Sequence, residues 1–260
     1  GSPVSTWIIQ FVDWGGIAGW RWVFMLQGIL AVIAGICTLI FLPSLPRAAR
    51  WLDTHEKEWL EHNLDPDQVL DGMPRHIPFR QLLRDRMVPV LTVCLFLLYL
   101  ALFGIVFWLP QIVQSFELTT SVFGIGLLLM VPYAAATLVM FLWGRHSDKT
   151  GERVFHVVLP VVIAAAAFVM DALVADPTWS TVFLAMSLIA LFAAFPPFWA
   201  IAIAHISPGL RPAGTAFINS FASLGSFSGP VIFGAFVQYS RYDAVVGLVV
   251  LAGALVLCSV

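Results

Sequence analysis

Apolar residues in this chain do not alternate with polar ones; they arrive in long unbroken blocks. Val23–Leu42, Met87–Leu109, Val122–Trp143, Thr181–Ala204, Ala213–Tyr239 and Ala244–Val260 contain no Asp, Glu, Lys, Arg or His. Phe155–Val174 joins them, with only His156 and Asp171 near its ends. About 20 helical residues, rising ~1.5 Å each, cross a ~30 Å hydrocarbon core. Backbone polar groups have no partner in lipid, so a crossing segment must pair its own N–H and C=O groups, which makes it a helix. The blocks therefore predict an all-α, polytopic membrane bundle with six complete spans and a seventh interrupted at Val260. The opening stretch, residues 1–12, is uncharged but too short to cross. The expectation is a piece of a longer protein.

Composition sharpens this. The chain is 60% hydrophobic and 11% charged, against roughly 25% charged residues in soluble domains, too few to cover a water-facing surface. A net charge of −2 offers no electrostatic attraction for nucleic acid. Cys37, Cys94 and Cys258 all fall in apolar blocks at no metal-like spacing and read as buried thiols.

The polar connections give the orientation. Of 13 Lys and Arg residues, seven lie in 43–86, three in 144–154 and one in 205–212. The opposite set of connections holds two, Arg21 and Arg241. Positive residues stay on the cytoplasmic side, so 43–86, 144–154 and 205–212 are expected there. Trp14, Trp20, Trp22, Trp108 and Trp179 gather near the other ends, as interfacial indoles do. The one sizeable soluble part, 43–86, reads as a tether joining two membrane units. Within it, Asp53 and Glu56 have the spacing of a capping box. Leu52, Trp59, Leu60 and Leu64 follow as a thin apolar stripe, and PFRQLLRDR (78–86) suits a headgroup surface.

Inside the spans no ionisable residue sits at mid-depth. An intramembrane hydrolase or metalloenzyme would need paired carboxylates, His ligands or an activated nucleophile there, so no catalytic residue, metal or cofactor is expected. Four large polar or amphipathic side chains do share one level. Tyr99 and Tyr133 are each 17 residues from Phe116, and Trp199 and Asn219 are each ten from Gly209. Ten residues are about 15 Å of helix, close to the bilayer middle. This level suggests either a lined cavity or ordinary interhelical hydrogen bonding. Pro132, Pro196, Pro197 and Pro230 are expected to kink their helices. The Gly-, Ala- and Ser-rich run 214–230 suits close helix approach, or bending beside a pore.

Between two adjacent spans stands a knot of charge, GRHSDKTGER (144–153). Gly144 and Gly151 permit a tight turn. Asp148 can pair with Arg145 or Arg153, or accept from a neighbouring helix start, and so act as a latch while the cytoplasmic ends are together. The frame Gly-x-x-x-Asp-x-x-Gly-x-Arg resembles the loop signature of the major facilitator superfamily. Within it, the ordered set GWRWVFMLQG (19–28), FLPSLPRAARWLDTHEKEWLEHNL (41–64), FWLPQIVQSF (107–116), VPY (131–133), WGRHSDKTGERVFH (143–156) and INSFASLGSFSGP (218–230) resembles the anion:cation symporter family of phthalate, tartrate, hexuronate and galactonate permeases.

That resemblance implies a division into 1–42, the end of span five plus span six; 43–86, the central cytoplasmic loop; and 87–260, the C-terminal six-helix bundle. It implies a secondary transporter in which two bundles rock about a midplane site, moving a small organic anion with a proton or another cation across a bacterial inner membrane. Substrate contacts are implied at Tyr99, Trp199 and Asn219, with Tyr133 at the same level. Ser223 stands where many relatives carry a second Asn, so substrate identity does not carry over. Gly144, Arg145, Asp148, Gly151 and Arg153 are implied as the cytoplasmic gate. The cation that holds the anion and the acid that carries the proton are implied in the missing N-terminal spans, which would be this chain's partner. Two other readings stay open: an exporter of amphipathic compounds, and a non-transporting scaffold or sensor acting through 43–86.

Overall fold

The computed structural model describes residues 2–43, 49, 51–63, 79–116, 121–174, 176–239 and 245–259. Arg47, Arg50, Arg75 and Arg241 of the charge tally, and Leu64 of the apolar stripe, lie outside these. The helices are α1 (Ser2–Phe11), α2 (Gly19–Phe41), α3 (Thr54–Asn63), α4 (Phe79–Arg84), α5 (Met87–Ser115), α6 (Val122–Thr150), α7 (Val154–Leu173), α8 (Pro177–His205), α9 (Arg211–Tyr239) and α10 (Val245–Ser259). No strand occurs among the described residues. Among the described residues, six helices are long and apolar enough to cross a membrane, α2 and α5 to α9, each coinciding with one of the apolar blocks.

The chain divides into two compact units, 3–76 and 77–260. In the first, α1 and α2 are joined by a short turn, Trp14–Gly16, in which Gly15 and Gly16 both take positive φ. Two contacts fix the hairpin: Trp22 Nε1 donates to the Trp14 carbonyl at 3.2 Å, and Gln27 Nε2 to Ser5 Oγ at 2.9 Å. No residue of α2 is buried within this chain. Cys37 is exposed on it, against the expectation of a buried thiol. The start of α3 forms half of a capping box. Glu56 accepts the Asp53 amide at 3.0 Å, but the Asp53 carboxylate takes the Thr54 amide at 2.6 Å rather than reaching forward to Glu56.

The second unit holds α4 to α10, and α5 is its centre. It packs most extensively on α9, and also on α10 and α8; α8 in turn packs on α6 and α7, and α7 on α10. The fully buried side chains Leu95, Leu98 and Ile105 of α5, Phe168 of α7, Leu188 and Phe198 of α8 and Phe233 of α9 form one continuous core. Helix ends are capped from the sequence. Ser121 Oγ accepts the Gly124 amide at 2.9 Å, and Asp176 accepts those of Thr178 and Trp179, with Pro177 at the first helical position. The prolines Pro132, Pro196, Pro197 and Pro230 all lie inside continuous helices.

Helices of 29 residues, α5, α6, α8 and α9, are about 44 Å long and overrun the hydrocarbon core. The α5–α9 seam shows why the run 214–230 is rich in small residues. A Cβ built on Gly225 would lie 2.3 Å from the Phe96 carbonyl oxygen, and one on Gly229 2.2 Å from that of Leu100. The two backbones touch through a Gly-x-x-x-Gly pair, the arrangement that lets membrane helices approach most closely. One turn on, Gly234 makes room for Trp108, whose Nε1 donates to the Pro230 carbonyl at 3.1 Å. Trp108 is thus part of the seam, not the interfacial anchor its position near the helix end suggested.

In the full-length protein, Gly229→Ala is expected to lower the thermal midpoint in detergent, because the blocking atom is backbone and overpacking costs about 1–3 kcal/mol. Gly253→Ala, where a Cβ meets open space, should leave it unchanged. Equal midpoints for the two would refute the seam.

Candidate functional site

The register set at the seam places Tyr99, between Phe96 and Leu100 on α5, beside Asn219 on α9. Tyr99 Oη donates to Asn219 Oδ1 at 3.1 Å. An amide carries one acceptor oxygen and two N–H donors. With the oxygen engaged, the exposed Asn219 presents its donors, which have no partner among the described residues. From Tyr99 a row of half-buried rings crosses two more helices. Tyr99 lies 5.8 Å from Phe195, Phe195 6.2 Å from Phe192 on the same helix α8, and Phe192 6.3 Å from Tyr133 on α6, centroid to centroid. These are favourable tilted and edge-on spacings.

Of the five expected contact residues, the fold joins Tyr99 to Asn219 directly and Tyr133 to both through two phenylalanines. Trp199 continues the Phe192–Phe195 stripe one turn further along α8, against Phe198 at 5.5 Å. Ser223 is exposed one turn beyond Asn219, and its Oγ donates to the Asn219 carbonyl at 2.7 Å. Phe192 and Phe195 were not singled out from sequence. The available signal was their helical spacing with Trp199 along α8. Chemically, the row offers amide and hydroxyl hydrogen bonds framed by ring faces, with no charge on it.

The charged knot is built differently from the expected turn. α6 runs on to Thr150, so most of GRHSDKTGER is helix, and only 151–153 connect to α7. Gly151 ends α6 in the left-handed conformation, φ +71. Gly144 is not part of a turn. It is buried within α6, where a Cβ would sit 3.1 Å from Pro196 of α8, so its smallness serves helix packing. Asp148 pairs with Arg153, and Arg153 Nη1 also donates to Ser147 Oγ at 3.3 Å. The fully buried Ser147 hydroxyl donates to the Glu152 carbonyl at 2.8 Å. Arg145 is exposed and makes no ion pair among the described residues. With Asp148 69% exposed, the pair contributes at most about 1 kcal/mol.

Two further polar groups escaped sequence reasoning. His156, only 3% exposed, is bonded to both His146 and Glu152. Asp171 is buried at the far end of α7; it accepts the Ser180 hydroxyl, and its Oδ1 has no partner among the described residues. Both sit within one turn of a helix end, which in sequence looks like ordinary flanking polarity.

Asp85, just before α5, ties that helix start to the α8–α9 connection. Its Oδ1 accepts the Met87 amide at 3.1 Å, and Oδ2 accepts the amide and hydroxyl of Ser207 at 3.3 and 3.0 Å. Partial burial pushes the carboxyl up, but the Met87 and Ser207 hydrogen bonds outweigh it and hold it below its ordinary range.

Comparison with known proteins decides the class. The family description "Major Facilitator Superfamily" matches residues 1–230 and 115–260. The chain belongs to the Major Facilitator Superfamily. It is 33% identical over 264 residues to a "Putative tartrate transporter" of Agrobacterium vitis, covering 100% of this chain and 59% of that protein. It is 30% identical to the "Inner membrane transport protein RhmT" of Escherichia coli (strain K12), over 89% of this chain and 53% of the relative. A "Quinolone resistance transporter" of Acinetobacter baumannii is 27% identical, over 92% and 55%. The chain thus spans a little over half the length of the curated relatives it matches. Superfamily membership and the apolar helices make it an integral, multi-pass membrane protein of a transporter family, of the bacterial inner-membrane type, and not an enzyme.

The Asp85 clasp carries a pH signature. A carboxyl whose folded value lies below its unfolded one, about 3.9, stabilises fully above that range and loses the contribution as pH falls through the folded value. The thermal-midpoint difference between wild type and Asp85→Ala should therefore be constant from pH 8 to 5 and shrink only below about pH 4. A difference that fades between pH 7 and 5 would contradict the arrangement.

Proposed function

We propose that this chain contributes the C-terminal bundle and the end of the N-terminal bundle to a secondary transporter that carries a small organic anion across a bacterial inner membrane. Proton or other cation coupling, and alternating access of two bundles about a midplane site, belong to this reading. The observation that carries it is the Tyr99–Asn219 hydrogen bond at the end of an uncharged aromatic row. The bond holds the Asn219 donors toward the open face, where carboxylate or hydroxyl oxygens can accept them. The name of one relative, a putative tartrate transporter, supports an acidic metabolite. Holding the anion's charge and carrying the coupling proton are roles for residues of the companion N-terminal spans.

The rings favour a second reading: four aromatic faces with few polar groups also fit an amphipathic compound moved outward. One assay separates the two. Proteoliposomes bearing the full-length protein should accumulate a dicarboxylate or sugar acid under an inward proton gradient. Extrusion of amphipathic dyes without such uptake would favour export.

Asn219→Ala is expected to reduce uptake at least tenfold with the protein still folded. Tyr99→Phe, which removes one hydrogen bond of about 0.5–1.5 kcal/mol, should weaken apparent affinity two- to tenfold. Undiminished uptake by Asn219→Ala would point to a scaffold or sensor instead. For the gate, Asp148→Asn should slow exchange while substrate affinity stays at the wild-type value; an unchanged exchange rate would remove the latch role.

A further inference from the structure

The turn between α6 and α7 contains a polar cluster that neither the transport site nor the Asp148–Arg153 pair uses. His146, on the last turns of α6, places Nδ1 2.7 Å from Nε2 of His156, on the first turn of α7. His156 Nδ1 lies 3.0 Å from Glu152 Oε2. The other Glu152 oxygen accepts the Phe155 amide at 2.8 Å. Trp143 closes the cluster. Its Nε1 donates to the His156 carbonyl at 2.9 Å, and its ring lies 6.1 Å from that of His146, nearly parallel, and 4.8 Å from that of His156.

Hydrogen-bond logic assigns the protons. A carboxylate can only accept, so His156 Nδ1 carries a hydrogen and donates it to Glu152. His156 Nε2 is then the acceptor, and the hydrogen between the rings belongs to His146 Nδ1. That leaves His146 Nε2, on an exposed side chain, open to one more proton from water. Taking it turns the ring-to-ring bond into a charge-assisted one, about twice as strong as a neutral bond. A second added proton has no such place. It would set two N–H groups head to head across 2.7 Å and break the bond.

The Glu152 carboxylate favours one added proton, while the exposed cations Arg145 and Lys149 oppose it only through solvent. The Phe155 amide, together with His156, holds the Glu152 carboxyl below its ordinary range, so the anion facing His156 is present at neutral pH. The other charged groups here are Arg145, Asp148 and Lys149 on α6 and Arg153 in the turn, with Arg153 already paired to Asp148. α8, which packs on α6 and α7, brings no Asp, Glu, Lys or Arg; its His205, at this end, has Nδ1 at its own Ile201 carbonyl. The sequence of α10, packed on α7, holds no Asp, Glu, Lys, Arg or His.

We propose that this turn is a proton-binding site separate from transport coupling. His146 takes one proton, the bond to His156 tightens, and the closure of the α6–α7 turn, hence the exchange rate, follows the pH on the arginine-rich side. Imidazole is the side chain that exchanges its proton in this range.

The test uses the full-length protein and two variants at exposed side chains, His146→Gln and Glu152→Gln. The first readout needs no substrate: the thermal midpoint in detergent from pH 8 to 6. Stabilisation through an added proton is present on the acid side and lost as pH rises, so the midpoint advantage of wild type over His146→Gln should grow toward pH 6. Glu152→Gln keeps an acceptor for the Phe155 amide but lacks the charge, and should move that growth to lower pH. The second readout is substrate exchange at equal pH on both sides. The ratio of rates at pH 6 and 8 should differ about fivefold between wild type and His146→Gln, as doubling one ordinary hydrogen bond implies. A midpoint advantage that is flat with pH, or identical exchange ratios, overturns the proposal. Failure of exchange with a rising midpoint advantage removes only the link to rate and leaves the proton site standing.

Discussion

The second unit depends on one backbone-to-backbone contact, that of Gly225 and Gly229 on α9 with the Phe96 and Leu100 carbonyls on α5. In lipid the hydrophobic effect does not draw apolar helices together, so association rests on close packing and a few hydrogen bonds. The glycine pair provides the closest approach available, and it fixes a register. Tyr99 must then fall opposite Asn219, and Trp108 must lie over Gly234 with its N–H on the Pro230 carbonyl. Slipping α9 by a single residue would turn these partners by about 100° around its axis and lose all three contacts at once.

A rigid seam on one side lets the face on the other be spare. The row from Tyr133 through Phe192 and Phe195 to Tyr99 is held by core packing behind it, so its few polar groups need not hold the fold together. The serines of α9 illustrate the economy: Ser223 and Ser226 both turn their hydroxyls back to carbonyls of their own helix, which satisfies them without a partner on another helix. Asn219 is the exception, with its oxygen tied to another helix and its N–H groups directed outward. In the proposed function, an amide so oriented serves recognition, since nothing in the packing requires it.

The α6–α7 turn follows the opposite rule, with nearly every polar group cross-linked. Ser147, Glu152, Arg153, His146, His156 and Trp143 join the end of one helix to the start of the next within a connection of three residues, 151–153. In the proposed gate, such cross-linking makes the turn act as one body.

Sequence alone determined that the chain is a bundle of membrane helices and where each lies, because a lipid solvent leaves the backbone one choice and charge is excluded from the crossing segments. The level shared by Tyr99, Tyr133, Trp199 and Asn219 was also legible, since depth follows from counting residues at a fixed rise. What counting cannot supply is azimuth and neighbour. That Tyr99 meets Asn219, that Phe192 and Phe195 bridge to Tyr133, that Gly144 serves α8 rather than a turn, and that His156 is sealed between His146 and Glu152 were decided by tertiary packing. In blocks apolar on every side there is no hydrophobic stripe to point inward. Which face turns to which neighbour is therefore settled by the fit of small residues and side-chain shapes, found only when the helices come together.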